Sequence, residues 1–291
     1  MNKTISEYFR EKNVFITGAT GFVGKLLIEK LLNSSENVKK VYCLIRDKNG
    51  HSAEERLNEI TSCKVFDKLR KKDPNFRERL CSISGNILEN GLSISAKDTS
   101  VLKENVDVVF HLAGTVDFDQ DLKTSLLTNV LGLRNTLNLA KSFDNLEAFV
   151  YVSSIYANGD RPFIEEKIYP SPVEPQKILN LLEWMEDEWL RLATKKLIGK
   201  KPNTFTYTKW ISESLLQQEG ADLPIVVVRP STIGACFLFL KLKLKTNNKK
   251  MLLFSGAAWK EPFSGWVEKS SGPCDLFIAV SWSLLKHTAG T

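Results

Sequence analysis

Residues 14–24, Val14-Phe15-Ile16-Thr17-Gly18-Ala19-Thr20-Gly21-Phe22-Val23-Gly24, decide the fold. The opening four read as a β-strand, and residues 25–32 carry the apolar spacing of a helix. Between them lie three glycines in the pattern Gly-x-x-Gly-x-x-Gly. In such a turn Gly18 permits the tight bend, Gly21 lets the backbone approach a pyrophosphate, and Gly24 lets helix and strand pack closely. The helix start then offers unpaired N–H groups and a positive dipole to the phosphates. Gly18, Thr20, Gly21, Phe22, Val23 and Gly24 are therefore candidate cofactor contacts. The plainer alternative is a turn that merely needs glycine.

Outward from this turn, apolar runs alternate with helical patterns. Strands are predicted at 41–46, 80–83, 106–112, 148–153 and 225–228, the last ended by Arg229-Pro230. Helices are predicted at 53–71, 126–141, 178–197 and 208–218. Near-continuous Val/Ile/Leu strands between helices imply an α/β fold with a doubly wound parallel sheet covered on both faces. No internal repeat is found.

The second predicted strand, VYCLIR, ends in Arg46, with Lys48 just beyond. An acid is usual there when a ribose 2′-OH must be held. A guanidinium suits a 2′-phosphate, which favours NADPH over NADH. The adjoining Asp47 is an alternative ligand for a ribose hydroxyl. After the third strand, Asn86 and Ile87 are placed to flank an adenine; a simple turn role for Asn86 also stands. Ala113 and Gly114 read as small residues that let the backbone approach the dinucleotide. His111 is open to two readings, packing and catalytic, and Asn129 to two others, holding a water near the active centre and lying on a helix surface.

Composition narrows the function classes. The 291 residues are 43% hydrophobic and 25% charged, which excludes disordered and collagen-like chains. The net charge of +6 owes most to five lysines (241, 243, 245, 249 and 250) within residues 236–257, so no nucleic-acid surface need be invoked. Five scattered cysteines without a Cys-x-x-Cys predict buried thiols in a reducing compartment rather than disulfides or zinc. Three dispersed histidines make a metal site improbable. The N-terminus lacks the apolar core of a signal peptide, and the apolar run 276–285 is about half a membrane span, so a soluble, intracellular chain is expected. Residues 236–257 are expected to be an insertion outside the core; their Leu-Lys alternation leaves an amphipathic strand or a basic membrane-surface patch as alternatives.

TGATGFVG (17–24), HLAG (111–114), Ser153-Ser154 after the fifth strand and Lys209 opening a helix resemble an extended short-chain dehydrogenase/reductase, a NAD(P)-binding Rossmann fold. More narrowly, the chain resembles the alcohol-forming fatty acyl-CoA reductases. VYCLIRDK, EITSCKVFDKL, HLAGTVDFD, IYPSPVEPQKI, LEWMEDE, PNTFTYTK, RPSTIGA and WKEPFSGW carry that resemblance, in order, from about residue 6 to the end. In that family the RPSTIGA segment runs almost directly into WKEPF, so residues 236–257 are read as an extra segment, with unspliced or mispredicted coding sequence as its suspected origin. The resemblance implies a Rossmann domain at 1–235, the insertion at 236–257, and the start of a truncated substrate region at 258–291.

The resemblance further implies NADPH-dependent reduction of a long-chain acyl-CoA to the alcohol, by a peroxisomal membrane enzyme whose anchor this chain lacks. The family's chemistry uses a hydroxyl, a tyrosine and a lysine, the last two spaced Tyr-x-x-x-Lys. Ser154 matches the hydroxyl and Lys209 the lysine, which also holds the cofactor. The tyrosine position is Phe205, which keeps the ring and loses the proton. Tyr207 lies two residues from Lys209, on the opposite face of a helix, and would serve only if that segment were non-helical or shifted. A non-catalytic NADP-binding fragment or pseudoenzyme is therefore the competing reading. A sugar-nucleotide epimerase shares the glycine turn but lacks support from WKEPF and LEWMEDE. Trp184, Met185 and Trp189 are read as core or as an acyl channel, and Trp259, Phe263 and Trp266 as pocket wall or exposed surface.

Overall fold

The computed structural model describes residues 5–34, 38–231, 233 and 252–254. A turn of helix, α1 (Ile5–Tyr8), precedes β1 (Asn13–Thr17), which runs through the glycine turn into α2 (Phe22–Ser34). Then come β2 (Lys40–Ile45), α3 (Ala53–Thr61), α4 (Asp67–Lys72) and β3 (Leu80–Ser84). α5 (Ala96–Asn105) leads to β4 (Val108–His111). α6 (Leu122–Leu126) passes through a π-helical turn, Leu127–Leu131, into α7 (Gly132–Ala140), followed by β5 (Ala148–Val152). The chain continues through α8 (Pro175–Trp184), α9 (Asp187–Ile198) and α10 (Thr204–Glu219) to β6 (Ile225–Pro230).

The strands form one parallel sheet in the order β3-β2-β1-β4-β5-β6, extended at its edge by β7 (Leu252–Phe254). Those three residues are the described part of 236–257; the rest of that segment, Trp259, Phe263, Trp266, Cys236 and Cys274 lie outside the described residues. β1 and β4 are buried along their whole length because both sheet faces are covered. Alternate residues feed opposite layers. Val14, Ile16, Phe110 and Val150 pack against Leu27, Ile28, Leu57 and Phe66 on one face. Phe15, Val109, Phe149 and Tyr151 pack against Leu133, Leu137 and Leu215 on the other. A smaller cluster, with Leu122, Leu126, Ile178, Leu190, Tyr207 and Ile211, ties α6, α8, α9 and α10 together.

Three predicted helices differ from the structure. The stretch 53–71 is α3, a 3₁₀ turn Lys64–Phe66 and α4, yet Leu57, Ile60, Val65, Phe66 and Leu69 are all buried as the spacing requires. The helix read over 126–141 starts at Leu122 and contains the π turn. The single helix read over 178–197 is two, broken where Met185 is extended (φ −86°, ψ 124°). Charge explains that break. Glu186, Asp187 and Glu188 would be ordinary residues inside one long helix, whereas at the start of α9 they face its positive dipole. Trp184 and Trp189 are 68% and 63% exposed, which overturns their core reading; with Met185 and Glu186 they line a groove of about 410 Å³.

Candidate functional site

The sheet order reverses between β1 and β4, so their C-terminal ends flank a crevice, the place where open α/β sheets bind ligands. Thr17 is in register with Leu44 on β2 and His111 on β4, and His111 with Tyr151 on β5. The glycine turn, the loop after β4 and Ser153-Ser154 therefore share one rim.

Sterics dictate the residues of the turn. Gly18 has φ +75°, and a Cβ there would lie 2.7 Å from the backbone N of Ala113. A Cβ on Gly24 would lie 2.3 Å from the Gly18 carbonyl oxygen and 2.8 Å from the Ala19 Cα. Both glycines are close-packing devices. Gly21 is exposed on the turn, with Phe22 and Val23 in the first turn of α2 and Thr20 half-buried beside it. Thr17 Oγ1 accepts the Ala113 N–H at 3.2 Å and lies 3.0 Å from His111 Nδ1, locking the two loops together.

His111 takes the packing role. It is fully buried, lies near-parallel to Phe149 and Tyr151 at 6.4 and 5.9 Å, and is kept neutral by burial and the Lys209 charge, which push its pKa down to about 3.

Arg46 and Lys48 sit exposed just past β2. Asp47 does not compete with them. One carboxylate oxygen accepts the Ala53 N–H at the start of α3 (2.7 Å), and the other accepts the Ser84 hydroxyl (3.0 Å). Asn86 shows the geometry of a turn residue, its Oδ1 accepting the Leu88 N–H at 3.3 Å. Ile87 is buried against Gly132, its carbonyl accepting from Asn135.

Lys209 occupies the centre. α10 starts at Thr204, capped by Asn203, whose side chain accepts the Thr206 N–H at 2.9 Å. Phe205 and Lys209 therefore share a face, and Tyr207 points into the cluster of Leu122, Leu126 and Ile178. A compensating shift of register is thereby excluded. Burial pushes the Tyr207 phenol up to about 12. Lys209 is 5% exposed and donates to the Val152 carbonyl at 3.0 Å, with the Tyr151 ring centroid 5.0 Å from its Nζ. Burial lowers its pKa to about 8 against the opposing pull of Glu213. A Cβ on Gly114 would lie 3.5 Å from Lys209 Nζ and 2.8 Å from Asn129 Oδ1, so glycine keeps a cradle open above the ammonium.

The π turn serves that cradle. Asn129 is buried rather than on a helix surface, accepting the Thr115 N–H at 2.9 Å and donating to Thr208 Oγ1 at 2.9 Å. Ser154 caps the 3₁₀ turn Ile155–Asn158, its Oγ accepting the Tyr156 N–H at 3.2 Å and keeping its own proton to donate. The open turn, the small residues at the rim and a buried ammonium with N–H groups to spare fit a dinucleotide.

One part of the site escaped sequence reasoning. Glu213 and Arg229 are fully buried and paired twice, Nε to Oε1 at 2.8 Å and Nη2 to Oε2 at 2.5 Å. The same carboxylate accepts Ser153 Oγ at 2.5 Å and Asn158 Nδ2 at 3.2 Å. One ion pair thus ties β5, β6, α10 and the 3₁₀ turn behind Ser154. The available signal was Glu213 four residues beyond Lys209, one helical turn along the same face.

Fold and site together define a dinucleotide-binding α/β domain of the extended short-chain dehydrogenase/reductase architecture. Within that class, the chain belongs to the NAD-binding family described as Male sterility protein, which matches residues 16–290. It is 44% identical over 283 residues to Fatty acyl-CoA reductase 1 of Xenopus laevis, a match covering 97% of this chain and 51% of that protein. The Homo sapiens protein of the same name is 41% identical over the same coverage. Fatty acyl-CoA reductase 2 of Mus musculus is 37% identical, covering 99% of this chain and 52% of that one. The chain spans about half the length of the curated relatives it matches. In fold it is similar to the terminal R domain from the myxalamid PKS-NRPS pathway, with a TM-score of 0.55 and 22% identity over 78% of this chain and 50% of that one. A nonribosomal peptide synthetase reductase domain from Mycobacterium tuberculosis has the same TM-score at 23% identity, covering 77% and 49%.

Proposed function

We propose that this chain is the NADPH-binding, reductive portion of a fatty acyl-CoA reductase that converts a long-chain acyl-CoA to the alcohol. The observation that carries the reading is Lys209, buried against the Val152 carbonyl at the end of the strand that leads to Ser154, under the cradle that Gly114 keeps open. Sequence identity to relatives named fatty acyl-CoA reductase supplies the substrate class. The reduced nicotinamide, when bound, supplies a hydride to the carbonyl carbon.

The chain's residues do the rest. The Gly18–Gly24 turn holds the diphosphate against backbone N–H groups and the α2 dipole. Arg46 and Lys48, exposed and flanking the engaged Asp47, meet the 2′-phosphate. Asn86 and Ile87 lie toward the adenine, and Ala113 lets the loop approach the cofactor. Lys209 hydrogen-bonds the ribose and lends positive charge. Ser154 donates to the carbonyl oxygen as negative charge develops there, both when coenzyme A leaves and when the aldehyde is reduced. The exposed groove at Trp184, Met185 and Trp189 remains our candidate for the acyl chain. Residence at the peroxisomal membrane rests on the family resemblance and is tested by fractionating cells that express the chain.

The test is fluorescence titration with NADPH and NADH, followed by NADPH oxidation with palmitoyl-CoA. We expect NADPH to bind at least 10-fold more tightly than NADH, and Arg46→Ala to erase most of that preference, because a charge-assisted phosphate contact contributes about 1.5–3 kcal/mol. Equal affinities, unaffected by Arg46→Ala, would remove NADPH as the cofactor. Binding without turnover would leave a non-catalytic NADP-binding protein.

A further inference from the structure

Burying an ion pair is a weak way to stabilise a fold, because desolvation consumes most of the attraction. Glu213 and Arg229 are nevertheless fully buried, and their partners show what the pair does. A carboxylate has about four lone-pair sites. On Glu213 each oxygen takes two donors. Oε1 accepts from Arg229 Nε at 2.8 Å and Ser153 Oγ at 2.5 Å, and Oε2 from Arg229 Nη2 at 2.5 Å and Asn158 Nδ2 at 3.2 Å. Saturated in this way, the group is fixed in place. Arg229 is fixed in turn, donating to the Lys167 carbonyl at 3.0 Å from the side away from Glu213.

The carboxylate faces the reductive site. α10 places Lys209 and Glu213 four positions apart, on one face. They meet consecutive residues at the end of β5: Lys209 Nζ donates to the Val152 carbonyl at 3.0 Å, and Glu213 accepts the Ser153 hydroxyl. The Ser153 N–H is bonded to the Val228 carbonyl at 2.8 Å. Ser154 follows directly, and the turn it caps ends at Asn158, the other side chain that donates to Glu213. One carboxylate thus grips the chain on both sides of Ser154. Three described titratable groups face Lys209. His111 from β4 and Tyr151 from β5 are uncharged there, because burial drives the imidazole pKa down and the phenol pKa up. Glu213 is the anion among them, and its attraction opposes the effect of burial on the ammonium.

We propose that Glu213 is a positioning residue of this reductase: locked by Arg229, its carboxylate holds the segment that carries Ser154 against α10 and is the counter-charge of the buried Lys209; the proposal rests on the function argued above. Kept as an ammonium, Lys209 hydrogen-bonds the ribose and lends its charge to the oxygen that gains electrons. With the anion gone, burial acts on Lys209 unopposed, and more of it is the free amine at neutral pH. An apolar pair of the same size would tie the strands together equally well and do neither task.

The experiment labels lysine with carbon-13 at the ε position and follows the Lys209 signal by NMR as the cofactor-free chain is titrated with base. Lys209→Met, which lacks that signal, assigns it. Two pairs remove the carboxylate charge together with its cation: Glu213→Leu with Arg229→Met, and Glu213→Gln with Arg229→Met. Circular dichroism checks that each is folded. The parent midpoint should lie near 8, and that of both pairs about one pH unit lower, a 10-fold change in proton affinity. Ser153→Ala removes only the grip on the residue before Ser154. Its kcat for NADPH oxidation with hexadecanal should fall about 10-fold or more, with NADPH affinity and the Lys209 midpoint unchanged. A pair that served the fold alone would leave the midpoint where it is, so an unmoved midpoint in folded pairs overturns the proposal. A kcat for Ser153→Ala within twofold of the parent also overturns it. If neither pair folds, Ser153→Ala decides alone. A parent that binds NADPH without turnover brings down the reductase reading instead, and the midpoints then decide whether Glu213 is the counter-charge.

Discussion

Replacing Lys209 by methionine should make the cofactor-free protein more stable at pH 7 while abolishing turnover. An ammonium ordinarily titrating at 10.5 is held at about 8 by burial. Each pKa unit is worth 1.36 kcal/mol, so the folded state bears a cost of ~3 kcal/mol wherever the lysine is charged in both states. Methionine has nearly the same length and no charge, so it removes that cost. It also strips the Val152 carbonyl of its donor, a loss of ~1 kcal/mol. The net gain at pH 7 is ~2 kcal/mol. Between pH 8 and 10.5 the folded parent releases its proton while the unfolded chain keeps it, so parent stability climbs with pH and the gap closes. Above 10.5 the variant should be ~1 kcal/mol less stable. Urea unfolding followed by circular dichroism, from pH 7 to 11, measures both proteins, and other titrating groups cancel in the difference. A variant that is less stable at pH 7, or a gap that ignores pH, would refute the reasoning.

Gly24→Ala sets a methyl against three backbone atoms of the preceding turn, none of which can swing aside; we expect ~1–3 kcal/mol less stability and at least 10-fold weaker NADPH binding, read by thermal unfolding and fluorescence titration. Glu213→Gln leaves the Arg229 guanidinium buried without its counter-charge, and should cost ~3–5 kcal/mol in urea unfolding. The pair Glu213→Leu with Arg229→Met should recover most of that loss, because an apolar pair has no charge to desolvate; a double variant as unstable as the single one would contradict it.

Much of the frame was readable along the chain because its causes are local. β1 and the glycine turn announce themselves through neighbours in sequence, since the needs of a strand, a tight bend and a helix start are met within a dozen residues. The shared face of Phe205 and Lys209 follows from helical geometry alone, once α10 begins at Thr204. Periodicity failed where it ran unbroken through a change of backbone. The apolar pattern of 178–197 continues across the break at Met185, and only the acids at the start of α9 hint at a new helix. The π turn at Leu127–Leu131 was likewise invisible, because its purpose is to aim Asn129 at Thr115 and Thr208, which belong to other elements.

The succession of strands and helices along the chain and the glycine turn were legible in residue types and spacings alone, whereas Lys209 and the phenylalanine at 205 were singled out by the family resemblance. Which groups meet was decided only by folding. Thr17 reaches His111 across 94 positions, and Ser153 reaches Glu213 across 60. Spacing rules describe a strand or helix one at a time. The pKa of Lys209 and the neutrality of His111 instead depend on how closely several elements approach at one end of the sheet, and on the water that approach excludes.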